Sequence, residues 1–322
     1  MQYSFICRSL ATLWCLFVAS ASFAQSFDRP FTMVVPAPPG GTADLTARAL
    51  AEPLSKAIGQ PVIVENKGGA NGIIGGNAVA RAKADGYTLL MEFSGFHTMS
   101  PHLVKFPYDP LKDLQAVANV VIAPQVMVVR GDSPFKTAAD LIAYAKSNPG
   151  KLNYASSGNG SVQHITTELF EIETRSAMVH IPYRGTGPQL LGLLGGDVDL
   201  TMTTAPPLMP HIQSGKMRAL MVTSRQRLIA LPDVPTAAEV GMRNFEVASW
   251  FGVFTTTGTP MPFVEKLSDE IRKIVTSAEF QKKMEAQGAI TRYMNPETFA
   301  AFAKAESNRW AEVIKRANIK PD

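Results

Sequence analysis

Four times along the chain, a short apolar run empties into a polar or Pro/Gly-rich turn that opens a helical pattern. The first is Phe31 to Val35, followed by Pro36-Ala37-Pro38-Pro39-Gly40-Gly41-Thr42-Ala43-Asp44. Its prolines fix φ, its glycines permit tight or positive-φ geometry, and Thr42 or Asp44 suits a helix start. The others are Phe93-Ser94-Gly95-Phe96-His97, Tyr154-Ala155-Ser156-Ser157-Gly158-Asn159-Gly160-Ser161 and Pro182-Tyr183-Arg184-Gly185-Thr186-Gly187-Pro188. Strand, loop and helix repeated at this spacing restrict the chain to an α/β fold with a parallel sheet covered by helices. Such a sheet gathers its loops at the carboxyl ends of the strands, where ligands bind.

The pattern predicts strands at 31–35, 61–65, 87–94, 120–129, 152–155, 178–182, 198–203, 218–223 and 250–254. Helices are predicted at 42–58, from the Gly72 turn to 83, 134–147, 161–171, 189–194, 237–240, 260–275 and 295–314. Ser133 with Pro134, and Asn295 with Pro296, read as caps with proline at the first helical position. The central part repeats the α/β logic, so the chain is expected to leave a first domain near residue 125 and return near 245. The division is then 27–125 plus 246–322 for domain one and 126–245 for domain two.

The amino terminus bears on compartment. Arg8, the apolar run Leu10 to Ala21 and Ser22-Phe23-Ala24 read as a signal peptide, residues 1–24, cleaved after Ala24. Both cysteines, Cys7 and Cys15, lie inside it, so the mature chain is expected to hold no disulfide and no thiolate site. The formal charge of +4 falls to +3 when Arg8 is removed. The basic residues are dispersed, which argues against nucleic-acid binding.

The polar turns suit an anion more than a reaction. The opening turn lacks the Gly-Lys-Ser/Thr of a phosphate loop and the Gly-x-Gly-x-x-Gly of a dinucleotide fold. In the Ser156 to Ser161 turn, converging N–H groups and hydroxyls at a helix start can hold a carboxylate without a lysine or arginine, though simple helix capping uses the same residues. Tyr183 and Thr186 can flank and hydrogen-bond an organic ligand, and Arg184 is either a carboxylate partner or a solvated surface residue. An exported serine esterase or amidase needs Ser157 or Ser161 with His164 and Asp197 or Asp199, but there is no Gly-x-Ser-x-Gly elbow. The five histidines are scattered, with no zinc-binding spacing, and no metal or cofactor is expected. Asp197-Val198-Asp199 reads as capping or solvent-facing carboxylates.

Taken together, these stretches resemble the Bug or TctC-type extracytoplasmic solute receptors of tripartite tricarboxylate transporters. The resemblance rests on Val34 to Asp44 with Ala47-Arg48, on Gly59 to Gly72, on Asp85 to Leu90 and on the Ser156 to Ser161 turn. Val179 to Gly185, Leu194 to Asp199, Pro232 to Thr236, Glu239 to Gly241 and Trp250 to Gly252 continue it over nearly the whole mature chain. It implies a two-domain periplasmic binding protein fold (type II, Venus flytrap) in a monomer that captures a small organic carboxylate for membrane permease subunits. It places ligand-binding residues at Pro38, Pro39, Gly40, Gly41, Asp44 and Ser94 in one domain. In the other it places Ser157, Gly158, Asn159, Gly160, Ser161, Thr186 and Thr203. A carboxylate-sensing, protein-interacting module is the alternative that reuses the same fold. Two departures stand out: the extra proline of Ala37-Pro38-Pro39-Gly40, expected to influence ligand choice, and Asn71 in place of glycine, expected to change little. Phe93, Phe96 and Met202 are either pocket walls or core, so aromatic, dicarboxylate and citrate-like ligands all stay open.

Overall fold

The computed structural model describes residues 27–320; the leader and its cleavage site lie outside the described residues. In chain order the elements are β1 (Phe31–Val35), α1 (Thr42–Ile58), β2 (Val62–Asn66), α2 (Ile73–Ala80) and β3 (Thr88–Phe93). A π-helical turn (Gly95–Met99) and a 3-10 turn (Ser100–His102) lead to α3 (Pro110–Asp113) and β4 (Leu114–Arg130). Then come α4 (Ala138–Ser147), β5 (Asn153–Ser156), α5 (Val162–Thr174), β6 (Val179–Pro182), α6 (Thr186–Gly195), β7 (Leu200–Thr204), α7 (Met209–Gln213) and β8 (Met217–Val222). The chain closes with β9 (Ala248–Thr256), α8 (Met261–Val275), α9 (Ala278–Glu285), β10 (Ile290–Met294) and α10 (Pro296–Arg316).

The strands follow one hydrogen-bonded path, β2-β1-β3-β9-β4-β7-β5-β6, with β8 and β10 attached to β4. Strands β1, β2 and β3 are parallel, as are β5, β6 and β7. The two lobes meet in β4, whose residues 114–124 pair with β9 while Gln125 to Val129 pair with β7. That change of partner falls between Pro124 and Gln125, and β9 returns at Ala248. The first lobe buries Phe31, Met33, Leu50 and Leu54, so α1 is held against β1 by its Ala47, Leu50 and Leu54 face. Each such large side chain contributes roughly 1.5–3 kcal/mol. The second lobe has separate cores on its two sheet faces, one around Tyr154, Phe170 and Met202 and one around Leu193, Leu208 and Val222.

Several local expectations are corrected. Helix α4 starts at Ala138 because Thr137 and Asp140 form a reciprocal capping box, the Thr137 hydroxyl accepting from Asp140 N and the Asp140 carboxylate from Thr137 N. Ser133 instead accepts from the Phe135 N–H in a local turn. Residues 237–240 form turns, ended by Gly241 at φ 98°, with no helix. Strand β4 runs 17 residues because it serves both lobes. Helix α6 begins three residues earlier than its apolar pattern, at Thr186, which brings its N-terminus to the Gly185 turn.

Candidate functional site

A cavity lies between the lobes, with about 540 Å³ of space including the part open to solvent. Ala37, Pro38, Gly41, Thr42 and Ala43 line it from the opening loop and the first turn of α1. Ser157, Val162, Gln163, Gly185, Thr186 and Thr204 line it from the second lobe. Phe93, Phe96, Ser249 and Phe251 complete the wall. No lysine, arginine, histidine, aspartate or glutamate is among these residues.

Electropositive character comes instead from the backbone. Helix α1 has Gly41 as its N-cap and α6 has Gly185, and neither start carries a side-chain cap. Their first-turn N–H groups, at the positive ends of helices of 17 and 10 residues, therefore face the cavity without a built-in acceptor. The two starts nearly touch, since a Cβ on Gly41 would stand 3.6 Å from Thr186 Oγ1. Pro38 sets this approach. Gly185 has φ 103°, and a Cβ there would come within 2.8 Å of Pro38 Cγ, so only glycine both adopts the turn and seats the proline ring.

The third helix start is different. Ser161 caps α5, its hydroxyl accepting from His164 N at 3.3 Å, and it does not line the cavity. Ser157 does line it and donates to Gln163 Oε1 at 3.0 Å, while Gln163 Nε2 donates to Thr203 Oγ1 at 3.1 Å. Thr203 thus stands behind Gln163, and its neighbour Thr204 is the cavity residue. Gly158, Asn159 and Gly160 sit at the interlobe seam, where Asn71 Nδ2 donates to Asn159 O at 3.1 Å and Ser100 Oγ to Gly160 O at 3.3 Å.

In the opening loop, Asp44 is almost fully buried and braces rather than lines. Its carboxylate accepts from Gly40 N and Arg48 Nε, both at 3.0 Å, and from Asn66 Nδ2 at 3.0 Å. Burial pushes this carboxyl up, but the Arg48, Gly40 and Asn66 hydrogen bonds together outweigh it and leave the group below its ordinary value. Pro39 and Gly40 shape the same turn without lining the cavity. Ser94 is fully buried beneath the wall, its backbone oxygen accepting from Thr98 Oγ1 at 2.7 Å. Met202 belongs to the core of the second lobe.

The residues missing from the sequence reading are Thr204, Gln163, Val162, Ser249 and Phe251. Ser249 and Phe251 are two apart on β9, hence on one face, which turns a strand read only as buried into part of the wall. Gln125, at the partner change of β4, donates through Nε2 to Ser249 Oγ at 3.0 Å and ties the wall to the crossing strand.

Among the described residues the serines and histidines proposed for hydrolysis do not form a hydrolytic centre. Ser157 hydrogen-bonds to an amide rather than a base, and His164 Nδ1 accepts from Gly160 N at 3.1 Å. Ser156 does meet a histidine, His180 Nε2 at 2.6 Å, but it is fully buried and its hydroxyl also accepts from Gly158 N. Asp199 accepts from Asn153 N at 2.7 Å, a brace between β5 and β7. His97 is buried against Phe254 with ring centroids 4.4 Å apart, and burial pushes its imidazole down to about 3. Among the described residues no group of three or more His, Cys, Asp or Glu side chains is placed to hold a metal ion.

Two α/β lobes joined by crossing strands around a cavity define the class of two-lobed periplasmic binding proteins. The solved periplasmic binding protein BugD matches with a TM-score of 0.86 and 38% identity over 92% of this chain and 100% of its own. The chain belongs to the tripartite tricarboxylate transporter receptor family (TctC), whose pattern matches residues 46–319. It is similar to the Bordetella pertussis protein BugT, at 37% identity over 95% of this chain and 96% of that one. A R. palustris protein solved with adipate matches with a TM-score of 0.88 and 36% identity, covering 91% of this chain and 99% of its own. MatC from Rhodopseudomonas palustris, solved with bound malate, matches with a TM-score of 0.82 and 32% identity, covering 89% and 99%. The family is one of solute-binding receptors and not of enzymes.

Proposed function

We propose that this chain is exported to the periplasm, where as a monomer it captures a small organic carboxylate and delivers it to the membrane permease subunits of a tripartite tricarboxylate transporter. The observation that carries the reading is the meeting of two uncapped helix starts, Gly41 and Gly185, at a cavity with no charged side chain. A carboxylate there accepts backbone N–H bonds from both lobes, each charge-assisted bond contributing about 1.5–3 kcal/mol. Because each lobe supplies one start, the anion is held best when the lobes are closed, which links capture to closure. The complexes of related proteins with adipate and with malate support the ligand class. We take the moving units to be 27–125 with 246–322 and 126–245, hinged where β4 changes partners and β9 returns.

The test is calorimetric titration of protein that has been unfolded, dialysed and refolded to remove co-purified solute. Mono-, di- and tricarboxylates are compared with their amides. Saturable binding of at least one acid but not its amide is expected; no binding across the set sinks the reading. Co-purification with the permease subunits, from cells expressing both, tests the delivery step.

A further inference from the structure

Two histidines stand directly behind the loop that carries the interlobe seam. Ser161 caps α5 and accepts from His164 N; His164 itself occupies the place where a capping box has glutamate or glutamine. Its Nδ1 reaches back and accepts from Gly160 N at 3.1 Å. A ring nitrogen that accepts carries no proton, so His164 is neutral, with its hydrogen on Nε2, 3.8 Å from Glu168 Oε1. His180 holds the loop at Gly158. Its Nε2 lies 2.6 Å from Ser156 Oγ, which is 3.1 Å from both Gly158 N and Gly158 O. With the one hydroxyl proton on Gly158 O, His180 Nε2 donates, and it does so equally as a neutral ring or as a cation.

The two imidazoles lie face to face, with centroids 4.2 Å apart and 6° between planes, and Tyr154 of β5 stacks on His180 at 4.9 Å. Tyr154 OH donates to Glu168 at 2.8 Å. Beyond Glu168 on α5 is Glu171, whose carboxyl is pushed up to about 7 by burial and by Glu168 against the pull of the Met178 N–H. The carbonyls of the same loop receive the first lobe: Asn71 donates to Asn159 O and Ser100 to Gly160 O. Only a backbone held in shape presents them, and Gly160, at φ 72°, is held by His164. A proton on His164 Nδ1 sets one N–H against another and removes that bond. The same proton leaves the His180 side of the loop intact.

We propose that His164 is a positioning residue for lobe closure. Its unprotonated Nδ1 holds the Gly158 to Gly160 turn in the shape that receives Asn71 and Ser100, and protonation frees the turn, so the lobes part and solute is released in acid. The proposal rests on the closure part of the reading above and is independent of the solute's class. A failure of every acid to bind leaves it standing, because its test uses the solute-free protein.

Residues 25–322 contain no cysteine, so Lys83→Cys in the first lobe and Lys146→Cys in the second, both exposed, take spin labels cleanly. Interlobe distances are measured in solute-free protein at pH 7.5 and pH 5.5, on either side of the value of about 6.5 at which a free imidazole takes its proton. The ratio of closed to open lobes should fall at least about threefold between the two. In His164→Gln the side-chain oxygen accepts from Gly160 N at any pH, so the ratio should stay within about 1.5-fold across that range. His164→Leu should show the low ratio at both values, with a thermal melt to confirm that it is folded. A ratio independent of pH in the otherwise unaltered protein overturns the proposal. An equal fall in His164→Gln also overturns it, by placing the titration on another group such as Glu171. Long-range proton–nitrogen NMR spectra of the imidazoles decide the premise without any variant: at pH 7.5 His164 should carry its proton on Nε2, and a proton on Nδ1 overturns the assignment.

Discussion

The hydroxyls of Thr42 and Thr204 meet at 2.6 Å across the cleft, one from the first turn of α1 and the other from the last residue of β7. Both are buried and both line the cavity, so the pair closes the lobes and shapes the site at once. Thr42→Val and Thr204→Val each keep the branched shape and remove one hydroxyl. Each is expected to weaken carboxylate binding by about threefold to tenfold, the net worth of one such bond. The double variant should bind no more weakly than the poorer single variant, because the interaction is already lost. Calorimetry on the four proteins closes the cycle, and losses that simply add would show that the hydroxyls act separately.

A second interlobe bond comes from a residue expected to matter little. Asn71 has φ 51°, which suits asparagine nearly as well as glycine, and its Nδ2 donates to Asn159 O. Asn71→Gly preserves the backbone and deletes the bond. The lobes of the solute-free variant should spend more time apart, giving a larger radius of gyration by small-angle scattering. Binding should weaken by about fivefold through the smaller closed population. An unchanged scattering profile would mean that the bond does not hold the lobes.

How much could be read from residues alone follows from the range of the forces involved. The Phe31 to Ile58 unit was legible because alternation, Pro/Gly turn and helix start all lie within one stretch, and β1 and α1 match it residue for residue. Pro38, Gly41, Ser157 and Thr186 were legible as loop residues at strand ends, and all four line the cavity. Thr203 came from the resemblance alone, and the cavity residue is its neighbour Thr204, because a strand's last residue gives no period-2 signal for which of the two turns inward. Gln163, Ser249 and Phe251 acquire their positions only from the pairing of distant segments, such as Gln125 with Ser249 across 124 residues. The resemblance put Asp44 among the ligand contacts, and a carboxylate in a first helical turn looks the same locally whether it faces a solute or, as here, Arg48 and Asn66.

That bracing role is testable. The buried Asp44 carboxylate accepts from Gly40 N, Arg48 and Asn66, so Asp44→Ala removes three hydrogen bonds to a charged group and should lower unfolding free energy by about 2–3 kcal/mol at pH 7. The carboxyl lies below its ordinary value of 3.8 when folded, so the stabilisation is complete above that value and is lost as the pH falls through the lower folded one. Urea unfolding at pH 7 and pH 3 should therefore show the gap between the two proteins shrinking in acid. A gap that stays constant would assign the loss to packing instead.

Glu92 runs the opposite way. It is fully buried on β3, one oxygen accepting from Phe93 N at 2.9 Å and the other without a partner among the described residues. Burial outweighs that bond and pushes the carboxyl up to about 8, so the folded protein holds it neutral at pH 7. Below about 4.5 both folded and unfolded chains carry the proton and there is no penalty. Between there and 8 the unfolded chain ionises while the folded one does not, so stability drops as the pH rises, and above 8 the penalty is complete. Glu92→Gln keeps the shape without the charge, and its advantage over the unaltered protein should grow from pH 5 to pH 8.5, reaching on the order of a few kcal/mol. Urea midpoints at pH 5, 7 and 8.5 measure this, and parallel pH profiles would place the carboxyl in a wetter setting. Since Glu92 adjoins Phe93, an alkaline loosening of β3 should also reach the aromatic wall. Binding in the unaltered protein should weaken above pH 8 while Glu92→Gln holds its affinity.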